Sequence, residues 1–590
     1  MSKKEDTGFL QIFALDLRSL AFFRMLTGLV ILLDLWVRSR GLEVHYTDFG
    51  LMPRSLVHEL NNSDSNFSLH FITGGVPGEV ILFLIHALFA FFLFIGFRTR
   101  LASLACWILA ISIHNRNYYV NNAGDAFLMN LIFWALFLPL GAKLSVDAAL
   151  NKEDAPKSNT YFSMACVGLI SQILLLYIFA GWFKFLQDVW INGLGTYYAV
   201  SYEQFSTSIG KLLIPYGKQL KIIDPIILYL ETFLPLLFLI PFRKSLNRMI
   251  CILFFWGFHL SILVFFKVGF FSAAGLMAWT ALLPSSFWER DWLGFSRFTG
   301  KKYSLYYDGE CDICLKLVRI LKMFLGLTEI KVMPAQSSRE FFAEMEKNNS
   351  WIVVSPDGAK HFRFDAVCLV FEASWIGGFF APVMRLKPFS ALGTHFYNWF
   401  ADHRTVAAPV VPAWHERNLL YGKSLFSNSI ATFVFIFVLY WNFWTLGFLN
   451  LTMSPSSQSI GYLFRFAQSW KMFDQAIIDD GWFVVPGILK NGRELDIYKD
   501  GEPLSYTKPE LVSATYPTDR YRKYMINLYQ QNNPSLWLNY GRYLCRKWNR
   551  DHIGTEQLES LRVVYMREDI NSDGTKQPVK EVELWKHRCF

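Results

Sequence analysis

Nine apolar stretches recur along a chain of 590 residues, near 17–36, 80–97, 101–114, 126–140, 163–185, 225–241, 249–266, 268–283 and 426–451. A bilayer's hydrocarbon core takes about 20 residues of helix to cross, so a chain with this pattern is read first as a polytopic helical membrane protein. The stretches 101–114, 126–140 and 268–283 are short, and each is either re-entrant or lengthened by its flanks. Composition agrees: 53% of residues are apolar and 18% charged, with 56 Phe, 26 Tyr and 20 Trp. That excludes a disordered chain, a collagen-like fibre and a disulfide-stapled mini-protein, and it argues against an ordinary soluble enzyme.

The formal charge of +9 needs no nucleic-acid partner, because Lys and Arg gather between the apolar stretches. With the N-terminus inside, the first four inside segments (1–19, 98–100, 141–162, 242–248) hold 11 Lys/Arg in 51 residues. The outside segments (37–79, 115–125, 186–224, 267) hold 8 in 94. Cytoplasmic loops carry such an excess. Residues 286–425 then return to the cytoplasm, and a ninth span exports 452–590. The start, Met1-Ser-Lys3-Lys4, shows no small-residue cleavage site and reads as an uncleaved anchor in a cell (inner) membrane.

Four units follow: a bundle over 1–290, an α/β domain over 302–404, the helix at 426–451, and a small α+β domain over 452–590. In the second unit, 303–307, 329–333, 351–354 and 360–364 read as strands, and 312–325, 338–347 and 366–375 as helices. The order β-α-β-α-β-β-α is that of a thioredoxin-like domain. The last unit has turns at Asn491-Gly, Asp500-Gly and Asp573-Gly, strands near 480–487 and 561–566, and helices near 521–530 and 536–548.

Cys311-Asp-Ile-Cys314 falls where the first strand gives way to a helix. Helix N-terminal amides stabilise a thiolate, and the spacing allows the two sulfurs to bridge. Cys311 would attack a disulfide and Cys314 resolve the mixed intermediate. Asp308, three residues before Cys311, either caps the helix or shuttles a proton. A structural zinc site needs four ligands, and no second CxxC exists, so no metal is expected. Cys545 and Cys589 lie in the exported part and either pair or remain free.

Tyr306-Tyr-Asp308-Gly-Glu-Cys311-Asp-Ile-Cys314, with Asp365-Ala-Val and Tyr397-Asn-Trp-Phe-Ala-Asp-His-Arg404, resembles the DCC family of thiol–disulfide oxidoreductase-like proteins. The resemblance implies a thioredoxin-like fold and a protein-disulfide reductase type of activity on an unidentified thiol or disulfide partner.

Arg24, Asp34, His86, Asp125, Lys184, Glu231 and His259 interrupt the apolar stretches. Such groups are costly in a bilayer and form either internal pairs or sites. Arg24 is expected to pair with Asp34 or Asp125. Lys184 is either a snorkelling residue or a buried base.

Leu20-Ala-Phe-Phe-Arg24, Asn122-Ala-Gly-Asp125, Leu138-Pro-Leu-Gly, Tyr177-Ile-Phe-Ala-Gly-Trp-Phe-Lys184 and Gly269-Phe-Phe-Ser272 resemble the horizontally transferred transmembrane (HTTM) family. That family is related to vitamin K-dependent gamma-carboxylase. The resemblance equates Lys184 with the carboxylase's proposed base and His259 with one of its histidines, and it raises vitamin K or another quinone as a cofactor. Asn121-Asn-Ala-Gly-Asp125 lacks the histidine of the carboxylase's Asn-Asn-His motif. Trp470-Lys-Met-Phe and Gly481-Trp-Phe-Val-Val-Pro-Gly resemble exported domains that follow such fusions in bacteria.

The expected function is membrane-tethered thiol–disulfide oxidoreduction. The rivals are a carboxylase-like or quinone-using bundle enzyme, with Lys184 beside His259 and with Arg24 and Asp125 near, and a non-enzymatic membrane module or transporter.

Overall fold

The computed structural model describes residues 9–60, 67–153, 155–289, 302–327, 329–374, 377–404, 411–571 and 575–590. The extreme N-terminus with Lys3 and Lys4, Trp375 at the end of an expected helix, and the Asp573-Gly turn lie outside them.

Every expected apolar stretch is helical, but their lengths divide them. Leu17–Ser39, Val76–Ile95, Met164–Phe185, Lys244–Phe265 and Leu425–Leu446 have 20 to 23 residues and are apolar enough to cross a membrane. At 1.5 Å per residue each exceeds or matches the roughly 30 Å hydrocarbon layer. Ala123–Ala135, Ile223–Leu237 and Phe271–Thr280 have 13, 15 and 10 residues. They are too short to span it alone. Thr99–Arg116 has 18 residues but ends in His114 and Arg116. The ninth helix stops at Leu446, five residues before its expected end, because Gly447 turns into the left-handed region at φ 74°.

These helices share one apolar core that runs from Leu15 to Trp470. Leu17–Ser39 lies along Val76–Ile95, and Met164–Phe185 sits between Ile223–Leu237 and Leu425–Leu446.

The 302–404 unit is a four-stranded sheet, ordered Lys331–Pro334, Ser304–Tyr307, Ile352–Val354, Lys360–Phe362. The first pair is parallel (Leu305 opposite Val332), and the other two are antiparallel (Leu305 opposite Val353, Val353 opposite His361). Helices Asp312–Phe324, Arg339–Asn348 and Arg363–Glu372 intervene or follow. The last expected strand is shorter by two residues, since Arg363 already starts the helix.

In the C-terminal unit, strand Leu558–Asp569 pairs antiparallel with Lys580–Arg588, Asp479–Val484 and Pro486–Leu489. Helices Asp519–Gln531 and Pro534–Asp551 cover this sheet. A disulfide joins Cys545 in the second helix to Cys589 just past the last strand.

The two units sit at opposite ends of helix Leu17–Ser39. At its start, Arg18 pairs with Glu289 at 3.3 Å and Trp288 donates to Ser19 at 2.8 Å. The segment leaving the α/β unit meets the same end, with the Lys152 amide on the His415 carbonyl. At its finish, the C-terminal unit docks through Arg520, through Asn539 on the Leu51 carbonyl and through Arg550 on Glu43.

Candidate functional site

Strand Ser304–Tyr307 delivers Asp308 and a tight turn to the start of helix Asp312–Phe324. Gly309 has no room for a side chain: a Cβ there would lie 2.8 Å from Cβ of Pro334. Pro334 ends the neighbouring parallel strand, so the turn is pressed against the sheet edge. Cys311 is the N-cap, and its sulfur accepts from the Cys314 amide at 3.3 Å. Cys311 and Cys314 are bonded to each other across a Cα separation of 5.3 Å, and both are half-buried. The helix terminus aims its partial positive charge at this pair.

Asp308 does not cap the helix. Its carboxylate takes the Glu310 amide at 3.1 Å and the Gln336 side-chain amide at 2.9 Å. Arg404 closes the site. One guanidinium nitrogen is 3.9 Å from Sγ of Cys314 and 3.7 Å from Asp308, and the other donates to Asn349 at 2.6 Å. Trp414 donates to Asp312 at 2.6 Å, and Lys316 beside Asp312 holds that carboxyl below its usual range. Cys368 is distant in role: burial pushes its thiol up.

In the bundle, Lys184 is buried and paired with Glu231 at 2.5 Å, with the Trp190 ring 5.0 Å from its amine. His259 Nε2 meets the Tyr177 hydroxyl at 2.7 Å, and Trp279 donates to the same hydroxyl at 2.9 Å. Gly275 leaves room for this histidine, since a Cβ would lie 2.1 Å from Nε2. Tyr177 and Lys184 are seven residues apart on one helix, about 10 Å along its axis. Lys184 and His259 therefore each have a partner of their own, and Tyr177, the partner of His259, lies two turns before Lys184 on the same helix.

Arg24 pairs with neither Asp34 nor Asp125. It donates to the backbone carbonyls of Leu144 at 2.5 Å and of Leu140 and Phe94 at 3.3 Å. Ten residues of helix, about 15 Å, separate it from Asp34. Asp34 instead accepts from Arg38 and Arg520, each at 2.6 Å. Asp125 accepts from Arg38 at 2.7 Å and from both outer nitrogens of Arg520. It also completes a capping box with Asn122.

A half-buried CxxC disulfide at a helix N-terminus, set on a strand edge beside a carboxylate and a guanidinium, defines the class of thiol–disulfide exchange domains. Residues 305–408 match the DCC1-like thiol-disulfide oxidoreductase family. Residues 14–292 match the HTTM domain. The chain is a membrane protein in which an HTTM domain is fused to a DCC1-like domain. No curated protein and no solved structure matches it.

Sequence reasoning assigned no role to Arg404 or Gln336. Arg404 ends the stretch Tyr397–Arg404, but 90 residues separate it from Cys314, and only the path of helix Lys387–Asp402 brings them together.

Proposed function

We propose that the protein is a membrane-tethered thiol–disulfide oxidoreductase of the protein-disulfide reductase type, working through Cys311 and Cys314. The observation that carries this reading is the bonded pair at the N-cap of Asp312–Phe324. The sheet order, with one parallel and two antiparallel neighbours, supports a thioredoxin-like fold.

In the reducing direction the Cys311 thiolate attacks one sulfur of a partner's disulfide. That bond breaks, and the partner's other sulfur leaves as a thiolate and takes a proton. The Cys314 thiolate then attacks Cys311 in the mixed disulfide, and the partner leaves as a dithiol. Two electrons have passed to the partner, and Cys311–Cys314 is bonded again. A second dithiol re-reduces the pair by the same steps in reverse. The Arg404 guanidinium, facing Cys314, favours its thiolate, and the Asp308 carboxylate 3.7 Å away helps to hold that guanidinium.

The Lys/Arg asymmetry supports a cytoplasmic 302–404 unit and an exported 452–590 unit in a nine-segment bacterial inner-membrane protein. Their placement at opposite ends of a span-length helix is consistent with this. The bundle does not fit a carboxylase-type base that acts with vitamin K or another quinone, because the Lys184 amine is paired with Glu231 rather than free.

Cys314→Ser in the full-length protein tests the reading. The variant is expected to hold its partner as a disulfide-linked adduct through Cys311, released by dithiothreitol and identified by mass spectrometry. No adduct beyond that seen with the Cys311→Ser, Cys314→Ser double variant would sink it.

A further inference from the structure

The seam between the bundle and the C-terminal unit holds a cavity of about 260 Å³, in a different part of the molecule from the cysteine pair. One wall is the bundle loop that carries Tyr202 and Gln204. The other comes from strand Asp479–Val484, helix Asp519–Gln531 and Tyr565 of strand Leu558–Asp569. Side chains of both parts hold the loop in place. The Glu203 amide donates to Asp480 at 2.9 Å, and the Glu203 carboxylate accepts from Lys508 at 2.6 Å and from Lys576 at 2.5 Å. Gln204 is buried, accepts from the Tyr516 hydroxyl at 2.8 Å and donates to the Tyr565 hydroxyl at 3.0 Å. A wall fixed in this way is ordered before any ligand arrives, which lowers the entropic cost of binding.

Three polar groups on the lining lack partners among the described residues. Tyr202 is 5% exposed, and its hydroxyl meets no hydrogen-bonding group. The Tyr565 hydroxyl accepts from Gln204, but its own proton has no acceptor. Asp479 takes the Tyr529 hydroxyl at 2.7 Å on Oδ2, while its buried Oδ1 accepts no hydrogen bond. Burial, with Asp480 and Asp479 close by, pushes the Tyr202 and Tyr565 phenols far above their ordinary value, so both keep their protons. The cavity thus offers two O–H donors and one carboxylate acceptor, and buried polar groups of this kind are normally matched.

Charge and shape narrow the ligand. Among the described residues, Asp479 is the only charged one on the lining. Arg567, which also pairs with Asp569, stands 3.6 Å from its Oδ1, so the carboxylate is not a free anion. A cationic ligand would compete with Arg567, and an anionic one would meet no cation. The ligand that fits is neutral. A hydroxyl both donates and accepts, so adjacent hydroxyls on one ring answer the phenols and the carboxylate together. Phe483 and Ile526 line the cavity with apolar surface for ring C–H groups, and the Gln475 and Gln530 carboxamides are exposed at its mouth. The volume falls just below the range of about 300–1,000 Å³ for drug-sized ligands, which suits one sugar ring better than a stretch of peptide.

We propose that this seam cavity binds a neutral sugar, one ring deep, with its hydroxyls on Tyr202, Tyr565 and Asp479 and its apolar face on Phe483 and Ile526. The C-terminal unit and the bundle loop form the site jointly, so neither part binds the sugar alone. The site is independent of whether the Cys311–Cys314 pair turns over.

The test uses the full chain in lipid nanodiscs, free of sugar-based detergent. Saturation-transfer difference NMR is run with glucose, galactose, mannose, xylose, N-acetylglucosamine and N-acetylgalactosamine, and with benzylamine and benzoate as charged controls. At least one of these sugars is expected to bind, and Asp479→Asn and Ile478→Trp are each expected to raise its dissociation constant at least tenfold. Ile478 lines the mouth and is 50% exposed, so a tryptophan there fills the entrance without entering a core. An unchanged melting temperature in Ile478→Trp separates lost binding from lost folding. Binding of none of the six sugars would overturn the proposal. A sugar signal that Ile478→Trp leaves unchanged would also overturn it, by placing the sugar elsewhere. So would benzylamine binding that Asp479→Asn abolishes and no sugar displaces, since the cavity would then be a cation site.

Discussion

The two extramembrane units of this protein are attached in different ways. The core of the C-terminal unit is not its own: Leu51, Met52, Val57, Tyr119 and Val120 of the bundle belong to the same apolar cluster as Phe483, Tyr524, Trp537 and Val563. The cluster that holds the DCC1-like sheet contains only residues between Leu305 and Ala373. The first unit is built into the bundle; the second is a module with its own core, joined to the bundle by its two connecting segments and by helix Asp312–Phe324 against Val146–Ala149. A redox module has to present a small reactive patch to different partners, whereas a fused unit completes a surface or a cavity. On the function proposed above, the exchange chemistry belongs to the separable part.

The largest effect expected from breaking this contrast lies at Arg520. It is buried and shares Asp34 and Asp125 with Arg38. Removing one partner of a buried ion pair costs about 3–5 kcal/mol, because the remaining charges stay buried. Arg520→Met should therefore lower the melting temperature in detergent and loosen the C-terminal unit, seen as faster proteolysis there. Adduct formation by Cys311 should be unchanged. Equal damage to the redox module would mean the two units are energetically one.

Reduction should also separate them. Cys545 and Cys589 close a loop of 44 residues, and Cys311 and Cys314 one of 3. By loop-closure entropy the first is worth about 4 kcal/mol and the second much less. Differential scanning fluorimetry with and without a strong reductant should show a large downward shift that Cys545→Ser abolishes. Cys311→Ser should not abolish it.

The smallest effect is a pH dependence confined to the fused unit. Burial, with Glu203 adding repulsion, pushes the Asp480 carboxyl up to about 6, even though the Glu203 amide and Lys576 favour its charged form. The folded protein therefore binds a proton more tightly than the unfolded chain. Stability falls as pH rises from about 4 through 6 and is constant above that, by up to about 3 kcal/mol. Asp480→Asn should flatten the slope in melting temperature between pH 4.5 and 7, and an unchanged slope would assign it to another group.

Much of the α/β unit was legible in the sequence, because its elements are set by local pattern. Strand Ser304–Tyr307 and helices Asp312–Phe324 and Arg339–Asn348 fall within one or two residues of their expected bounds. The bundle was legible as helices but not as spans. Hydropathy marks apolar stretches, while the break at Thr280 and the left-handed turn at Gly447 depend on how neighbours pack. Charge pairing was the least legible. Arg24 and Asp34 share a helix and invited each other, yet Arg24 found carbonyls, and Asp34 found a guanidinium 486 residues away. Strand Lys580–Arg588 was missed because its alternation is diluted by charged residues on an exposed edge. Within the candidate site, the cysteines could be read from the motif, but Arg404 needed the path of the chain.

The Asp34–Arg38–Asp125–Arg520 cluster also imposes an order on biogenesis. Two carboxylates and one guanidinium of the cluster belong to helices made early, and the fourth member follows Asp125 by 395 residues. At about 5–20 residues per second a ribosome needs roughly 20–80 s to cover that distance. Throughout that interval the newly inserted bundle carries one uncompensated negative charge at the end of its first helix. Until Arg520 arrives, water or a companion protein must solvate that charge, so the bundle can become dry and fully packed only after most of the chain has been made.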